Sequence, residues 1–188
     1  MIKINSETKI LGIFGNPIKH SLSPCMHNSA IKFLDLNYVY IPFWVTGDIK
    51  TAVKAIKDMN FAGVNVTIPY KEKVIPFLNE LTNEADKIGA VNTIINDDGR
   101  LIGDNTDGIG FIYSLKNDLK FNVNTKKCFM FGAGGAARAI AVSLIFAGAE
   151  NIFITDINIE KSKNLAKISK EIIVIDINNV VEIAKIIK

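Results

Sequence analysis

The segment FMFGAGGAARAIAVSLIFAGAENIFITDIN, residues 129–158, most narrows the folds open to this chain. An apolar run that suits a strand leads directly into a G-x-G-x-x-A pattern formed by Gly132, Gly134 and Ala137. In this pattern the first glycine permits a tight turn, the second lets the backbone approach a phosphate, and the small third residue lets a helix pack on the strand. A second apolar run, NIFIT, completes a strand–turn–helix–strand unit, which is the repeating unit of a parallel α/β sheet.

The same segment favours dinucleotide binding over a tight turn that binds nothing. The helix N-terminus presents free N–H groups and the positive end of the helix dipole to a pyrophosphate. Asp156 ends the second strand about 20 residues after the last glycine, where a carboxylate can accept hydrogen bonds from ribose hydroxyls. An aspartate in this place is also a common helix N-cap, so both interpretations of Asp156 stay open. The predicted cofactor-binding residues are Gly132, Ala133, Gly134, Gly135, Ala136, Ala137 and Asp156.

Upstream of this unit, apolar runs alternate with amphipathic segments in a βαβα order. The runs VNTIIN and RLIGDN are joined by DDG, a turn sequence typical of a β-hairpin. The pattern predicts an α/β fold whose sheet is mostly parallel with one antiparallel hairpin, and it predicts helical turns over residues 71–89. The other predicted elements are strands at 10–15, 38–44 and 63–68 and helices at 23–36 and 48–59, the last capped by Asp48.

A polar joint, KFNVNTKK, follows a predicted helix at 108–119 and precedes the glycine-containing unit. We therefore place a domain boundary near residues 106–120. Residues 1–106 are predicted to form an N-terminal α/β domain that binds the substrate. Residues 107–188 are predicted to form a linker helix and the first half of a Rossmann-type dinucleotide-binding domain.

Composition excludes several classes of partner. The formal net charge is +3 and the lysines are dispersed, so no patch fits nucleic acid or an anionic membrane surface. The longest apolar run, residues 139–149, is too short to span a bilayer. Cys25 and Cys128 form no C-x-x-C pair and have no histidine at zinc-ligand spacing, which predicts neither a disulfide framework nor a metal site. We predict a cytoplasmic protein whose partners are small molecules.

Polar side chains follow the predicted strands of the first domain, where ligands bind in open α/β sheets. They are Ser21, Ser23, Asn65, Thr67, Lys71, Asn92 and Asp107. Taken singly, Ser23 and Asp107 are explained as helix caps and Asn92 as a strand-start amide. Lys71 alone is explained as a solvated charge. Together they would bind a hydroxylated, carboxylated small molecule beside one ammonium and one carboxylate, the minimum for proton transfer next to a hydride acceptor.

Five segments follow one another along the chain: GNPIKHSLSP, NVTIPYKEKV, GAVNT, GDNTDG and GAGGAARA. They resemble, in the same order, motifs of the shikimate dehydrogenase family, which includes the quinate/shikimate dehydrogenases. The resemblance implies NAD(P)-dependent reduction of 3-dehydroshikimate to shikimate in aromatic amino-acid (chorismate) biosynthesis. It implies Lys71 and Asp107 as the catalytic pair, with Lys71 protonating the developing alkoxide and Asp107 orienting Lys71. It implies that the substrate is bound by Ser21, Ser23, Asn65, Thr67 and Asn92.

The chain departs from the family at its end and after the second strand of the cofactor unit. It ends at residue 188, after three predicted strands of the nucleotide-binding sheet, whereas family members continue. We therefore expect a fragment of a longer enzyme, with a folded first domain and poor turnover. Its exposed strand around Phe129 and Phe131 is expected to associate, so a homodimer stays open.

The second departure concerns the choice of cofactor. Family members that use NADP carry Asn-Arg-Thr after this strand, where this chain has Asp156, Ile157 and Asn158. A carboxylate at this position repels the 2′-phosphate of NADP, and no arginine stands beside it to bind that phosphate. The cofactor is thus NAD or NADP, and Asp156 favours NAD.

Three other functions stay open from the sequence. The first is a quinate/shikimate dehydrogenase that uses NAD. The second is a dehydrogenase of the tetrahydrofolate type, against which the Ser-x-Ser and GDNTDG motifs argue. The third is a truncated module that binds substrate without turning it over.

Overall fold

The computed structural model describes residues 4–187, which divide into two compact units; residues 1–3 and Lys188 lie outside this range. The first unit comprises the described residues through Asp86 together with Val91–Asn105. The second comprises Lys87–Ala90 and the described residues from Thr106 onward.

The first unit is built on a six-stranded sheet in the order β2-β1-β3-β5-β6-β4. Strand β5 is antiparallel to both of its neighbours, and the other pairings in the sheet are parallel. The predicted mostly parallel sheet with one antiparallel hairpin is therefore confirmed. The strands are β1 (Lys9–Gly15), β2 (Tyr38–Trp44), β3 (Gly63–Val66), β4 (Glu80–Leu81), β5 (Thr93–Asp97) and β6 (Arg100–Asp104).

Helices α1 (Ser23–Phe33) and α2 (Ile49–Asp58) connect the first three strands, and α3 (Asn83–Ile88) leads toward β5. The side chain of Asp48 caps α2 by accepting a hydrogen bond from the Lys50 amide at 3.0 Å, as predicted. The main hydrophobic core of this unit contains buried side chains from α2, β3 and β5. They include Val53, Ile56, Val64, Val66 and Ile94.

Three predicted boundaries are wrong. Helix α1 ends at Phe33 instead of residue 36, because Asp35 adopts a left-handed φ of 51°. Strand β3 ends at Val66, since the chain then turns and the Tyr70 amide donates to the Thr67 carbonyl at 2.9 Å. Residues 71–89 contain only a short 3-10 turn and α3 as helix, together with the short strand β4. A strand of two residues shows no hydrophobic period, so the pattern could not reveal it.

The second unit contains a three-stranded parallel sheet in the order β7-β8-β9. The helices and strands pack around a core that includes Leu144, Ile152, Ile154 and Leu165. The expected three-stranded arrangement, with the first strand at an edge, is what the structure has. The elements are α4 (Asp107–Asn117), β7 (Lys127–Phe131), α5 (Gly135–Phe146), β8 (Asn151–Thr155), α6 (Ile159–Ala166), β9 (Ile172–Val174) and α7 (Val180–Ile187).

Neither a membrane span nor a metal cluster is found in the described part of the chain. Over residues 4–187, no helix is both long and apolar enough to cross a membrane. Within the same range, no group of three or more His, Cys, Asp or Glu side chains is arranged to hold a metal ion.

Candidate active site

Asn65 is the centre of a hydrogen-bonded cluster in the first unit. It lies on β3 in register with Ile13 of β1 and Thr93 of β5. Its side-chain Nδ2 donates to Thr93 Oγ1 at 3.1 Å and to the Asn92 carbonyl at 3.3 Å. Its Oδ1 accepts a hydrogen bond from the Tyr40 hydroxyl at 2.8 Å. The amide predicted to bind substrate is therefore held by Asn92 and Thr93 at the start of the adjacent β5, and by Tyr40 on β2, which lies beyond β1 in the sheet.

Tyr40 on β2 connects this cluster to the serine segment. Its side chain is buried, and burial raises the pKa of its hydroxyl to about 12, although a hydrogen bond with Ser23 opposes the rise. The phenol therefore stays protonated, and able to donate, at neutral pH. The ring of His27 stacks on the Tyr40 ring, with centroids 4.3 Å apart and an interplanar angle of 10°. Burial lowers the pKa of His27, which favours the neutral imidazole.

The serine segment leads from β1 into α1. Ser21 Oγ accepts a hydrogen bond from the Ser23 amide at 3.3 Å. Leu22 is the N-cap residue and Ser23 is the first residue of the helix, so the explanation of Ser23 as a helix cap is wrong. Asn28 fastens α1 to β2 through its side chain. Its Nδ2 donates to the backbone carbonyl of Tyr40 and its Oδ1 accepts from the backbone N–H of Tyr40, both at 2.9 Å. This two-point contact fixes the position of Ser23 relative to the strand that carries Tyr40.

Thr67 lies just past the end of β3. Its amide donates to the Phe14 carbonyl at 2.9 Å, which continues the contact between β3 and β1 for one more residue. Gly15 permits this approach, since a Cβ at that position would lie 2.6 Å from Thr67 Cγ2. A larger residue at Gly15 would displace the threonine side chain.

Lys71 is joined by a backbone hydrogen bond to the residue that precedes Asn92. The Lys71 carbonyl accepts from the Val91 amide at 2.8 Å, and the Asn92 carbonyl accepts from the Val66 amide at 2.7 Å. Asn92 precedes β5, which runs antiparallel to β3, so the start of β5 lies at the carboxyl end of β3. Asn92 Oδ1 also accepts from Thr93 Oγ1 at 2.9 Å. The half-buried Lys71 is therefore held next to the segment that carries Asn92.

Asp107 lies in the second unit, whereas Lys71 lies in the first. It is the first residue of α4, and Thr106 occupies the N-cap position, so Asp107 is not the helix cap. The next residue, Gly108, is buried, and a Cβ there would lie 2.0 Å from Ser143 Oγ. This close packing against α5 fixes where α4 begins and hence where Asp107 lies within its own unit.

The glycine loop between β7 and α5 has the features that a phosphate cradle requires. Gly132 adopts a φ of 100°, which favours glycine, and its amide donates to the Thr155 carbonyl at 2.7 Å. A Cβ built at Gly132 or at Gly134 meets nothing within 4 Å, so the backbone is open to close approach. Gly134 is the N-cap of α5 and has no side-chain cap, so the first amides of the helix have no partner of that kind.

Asp156 is held against the glycine loop. Its Oδ2 accepts from the Ala133 amide and its Oδ1 from the Asn158 amide, each at 2.8 Å. The hydrogen bond from Asn158 contributes most to a lowered pKa of Asp156, and the bond from Ala133 and the charge of Lys161 act in the same direction. Partial burial opposes the shift. The carboxylate is therefore ionised at neutral pH.

The explanation of Asp156 as the cap of the next helix is wrong. Asn158 is the N-cap of α6, and its Oδ1 accepts from the Glu160 amide at 3.1 Å. Ile157, between the two, is 92% exposed. A residue at position 157 is thus free to face a ligand that binds beside Asp156.

Sequence reasoning missed Tyr40 and Thr93. Together with Asn65 and neighbouring strand residues, they line a cavity of about 250 Å³ on the first unit. Tyr40 lies within an apolar strand that also contains Tyr38, and alternation alone does not show which tyrosine is buried. The available signal is general: a buried tyrosine hydroxyl usually has a hydrogen-bond partner, and Asn65 is that partner.

Residues 13–94 match the family model of the shikimate dehydrogenase substrate binding domain. The chain is 51% identical over 166 residues to the shikimate dehydrogenase (NADP(+)) of Desulforamulus reducens, covering 88% of this chain and 57% of that relative. It is 55% identical over 168 residues to the shikimate dehydrogenase (NADP(+)) of Carboxydothermus hydrogenoformans, covering 88% of this chain and 59% of that relative. The chain thus spans less than two thirds of the length of these two relatives.

Solved structures give the same result. The structure is similar to shikimate dehydrogenase from Aquifex aeolicus, with a TM-score of 0.89 and 38% identity, over 98% of this chain and 68% of that one. It is also similar to shikimate 5-dehydrogenase from Listeria monocytogenes in complex with shikimate and NAD, with a TM-score of 0.89 and 35% identity. That match covers 98% of this chain and 67% of that one. The chain belongs to the shikimate dehydrogenase family.

Proposed function

We propose that this chain functions as an NAD(P)-dependent shikimate dehydrogenase, which reversibly reduces 3-dehydroshikimate to shikimate in aromatic amino-acid biosynthesis. The observation that carries the proposal is the hydrogen-bonded cluster that joins Ser23, Asn65 and Asn92 through Tyr40 and Thr93. It gathers hydroxyls and amides in the part of the chain that matches the family's substrate binding domain. Groups of these types bind a ligand that has a carboxylate and several hydroxyls.

The substrate is assigned to residues of the first unit. Its carboxylate and hydroxyls are bound by Ser21, Ser23, Asn65, Thr67 and Asn92. Lys71 is the general acid: its ammonium donates a proton to the oxygen that gains negative charge as the ketone is reduced. In the reverse direction the neutral amine accepts the hydroxyl proton. Asp107 is assigned the role of orienting the lysine.

The cofactor is assigned to the second unit. When bound, a nicotinamide dinucleotide donates or accepts the hydride. The residues present fit such a group, since the open backbone at Gly132 and Gly134 and the uncapped start of α5 suit a pyrophosphate. The cradle extends over Gly132, Ala133, Gly134, Gly135, Ala136 and Ala137, with Asp156 beside it at Ala133.

Within this assignment we propose NAD as the preferred cofactor. The two backbone bonds to Asp156 hold its carboxylate beside the glycine loop, where it can accept hydrogen bonds from both ribose hydroxyls. The 2′-phosphate of NADP would bring a second anion to the same place, and Ile157 offers it no charge. The two relatives above carry NADP(+) in their names, and the Listeria structure contains NAD.

Formation of reduced cofactor from shikimate tests the function. The assay follows the near-ultraviolet absorbance of reduced nicotinamide with shikimate and NAD or NADP, on this chain and on any longer form that carries it. Turnover that is strongly lowered in Lys71→Ala and retained in Lys73→Ala, a nearby lysine outside the proposed site, supports the proposal. Absence of both turnover and shikimate binding in every form would contradict it.

A further inference from the structure

Tyr40 has one hydroxyl and two partners in the proposed substrate site. The hydroxyl donates to Asn65 Oδ1 at 2.8 Å and is also hydrogen-bonded to Ser23. A phenol has a single proton, so the bond to Asn65 uses it and the Ser23 hydroxyl must donate to the phenol oxygen. The direction of both hydrogen bonds therefore follows from the Asn65 oxygen, which can only accept.

Counting the hydrogen-bond donors and acceptors of Asn65 likewise shows which group of this side chain can bind a ligand. An amide side chain has two N–H donors and an oxygen with two lone pairs. Both donors are engaged, by Thr93 Oγ1 at 3.1 Å and by the Asn92 carbonyl at 3.3 Å. Tyr40 engages one lone pair of the oxygen. One acceptor site on Oδ1 remains.

We infer that Tyr40 is a positioning residue that holds Asn65 as a hydrogen-bond acceptor, so that Asn65 recognises a hydroxyl of the ligand and not its carboxylate. The inference rests on the proposed function for the identity of that ligand. Without the Tyr40 hydroxyl, the amide keeps its bonds to Thr93 and to the Asn92 carbonyl but loses the bond to its oxygen, so its orientation is held less firmly. A rotated amide would present a donor where the ligand also presents a donor.

The surroundings of Tyr40 fit this role. The side chain is only 4% exposed, its backbone is fastened to Asn28 on both sides, and the His27 ring covers its face. A tyrosine held at its backbone and at its ring has little freedom to move its hydroxyl. Burial also keeps the hydroxyl protonated well above neutral pH, so the donor persists at any pH at which the protein works.

Tyr40→Phe tests the inference, because it removes the hydroxyl and keeps the ring. The first readout is the side-chain amide signal of Asn65 in a nitrogen-15 correlation spectrum without ligand, assigned by its loss in Asn65→Asp. We expect this signal to move or broaden in Tyr40→Phe and to stay in place in Tyr38→Phe, a matched change two residues earlier on the same strand. Thr93→Val, which removes a partner on the other side of the amide, should also move it.

The second readout is binding of shikimate and of analogues that each lack one hydroxyl. We expect Tyr40→Phe to weaken shikimate binding about tenfold, the effect of one lost hydrogen bond to a buried amide, and to lose discrimination against one analogue. In a turning-over form, KM should rise with kcat nearly unchanged, since ground-state binding is affected.

The two readouts fail separately. An Asn65 signal that is unchanged in Tyr40→Phe and in Thr93→Val overturns the positioning role, whatever shikimate does. A signal that moves in a protein whose wild type binds no shikimate overturns the proposed function and the ligand assigned to Asn65, while the positioning role stands. A moved signal with unchanged shikimate affinity and discrimination overturns the specificity role.

Discussion

Replacing Asp156 and Ile157 together, as Asp156→Asn with Ile157→Arg, should shift cofactor preference from NAD to NADP. The wild-type carboxylate cannot turn away from a 2′-phosphate without losing its bonds to the amides of Ala133 and Asn158, both 2.8 Å long. Two unit charges about 4 Å apart repel by about 1 kcal/mol in water and about 4 kcal/mol at an effective dielectric constant of about 20. Because Asp156 is partly exposed, we take about 1–3 kcal/mol, which is about 5- to 150-fold in kcat/KM.

The assay is kcat/KM for NAD and for NADP at fixed shikimate in an active form of the protein. The chain offers a matched control, since Asp-Ile-Asn occurs again at residues 176–178. Asp176 accepts a bond from the Asn178 amide at 2.8 Å, as Asp156 does from Asn158, but it follows β9, which β8 separates from β7. Asp176→Asn with Ile177→Arg should leave the preference unchanged. A wild type that prefers NADP, or an Asp156 double variant without a shift, would refute the reasoning.

The remaining predictions concern catalysis, stability and pH. Lys71→Ala and Asp107→Ala should each lower kcat by about 10²- to 10⁴-fold with little effect on shikimate affinity, as steady-state kinetics and calorimetry would show. Ile94→Ala, at a fully buried position, should cost about 2–5 kcal/mol in denaturant unfolding of the first unit. Ile95→Ala, at a 44% exposed position, should cost far less; equal losses would contradict the packing described. Because the pKa of Asp156 is lowered in the folded state, the ionised carboxylate stabilises the fold at pH values above 3.8, its ordinary pKa. The wild type should lose this stabilisation as the pH falls below 3.8, and Asp156→Asn should reduce that loss.

Long periodic elements and glycine turns could be predicted from the sequence. Strand β2 was predicted with its observed limits, and α2 with its Asp48 cap, because alternation and capping are local properties of the chain. The left-handed φ at Gly132 likewise follows from the spacing of the glycine pattern. These features depend on residues a few positions apart.

Features that depend on distant residues were missed or left open. Strand β4 exists because Asn79 and Thr82 donate backbone bonds to Leu101 and Gly103, which are about 20 residues away. Whether Asp156 caps a helix or contacts the glycine loop depends on Ala133, across the sheet. The role of Tyr40 depends on Asn65, which lies on another strand. No local pattern encodes such contacts, so only the fold could identify them.

The transfer of hydride itself tests the central claim most directly. The protein, in this form and in any longer one, would be incubated with NAD or NADP and shikimate that carries deuterium on the carbon whose hydroxyl is oxidised. We predict that deuterium appears at the reactive carbon of the reduced nicotinamide, and that Lys71→Ala slows the transfer strongly while Lys73→Ala retains it. Reduced cofactor without deuterium, or no deuterium transfer in any form, would contradict the assignment.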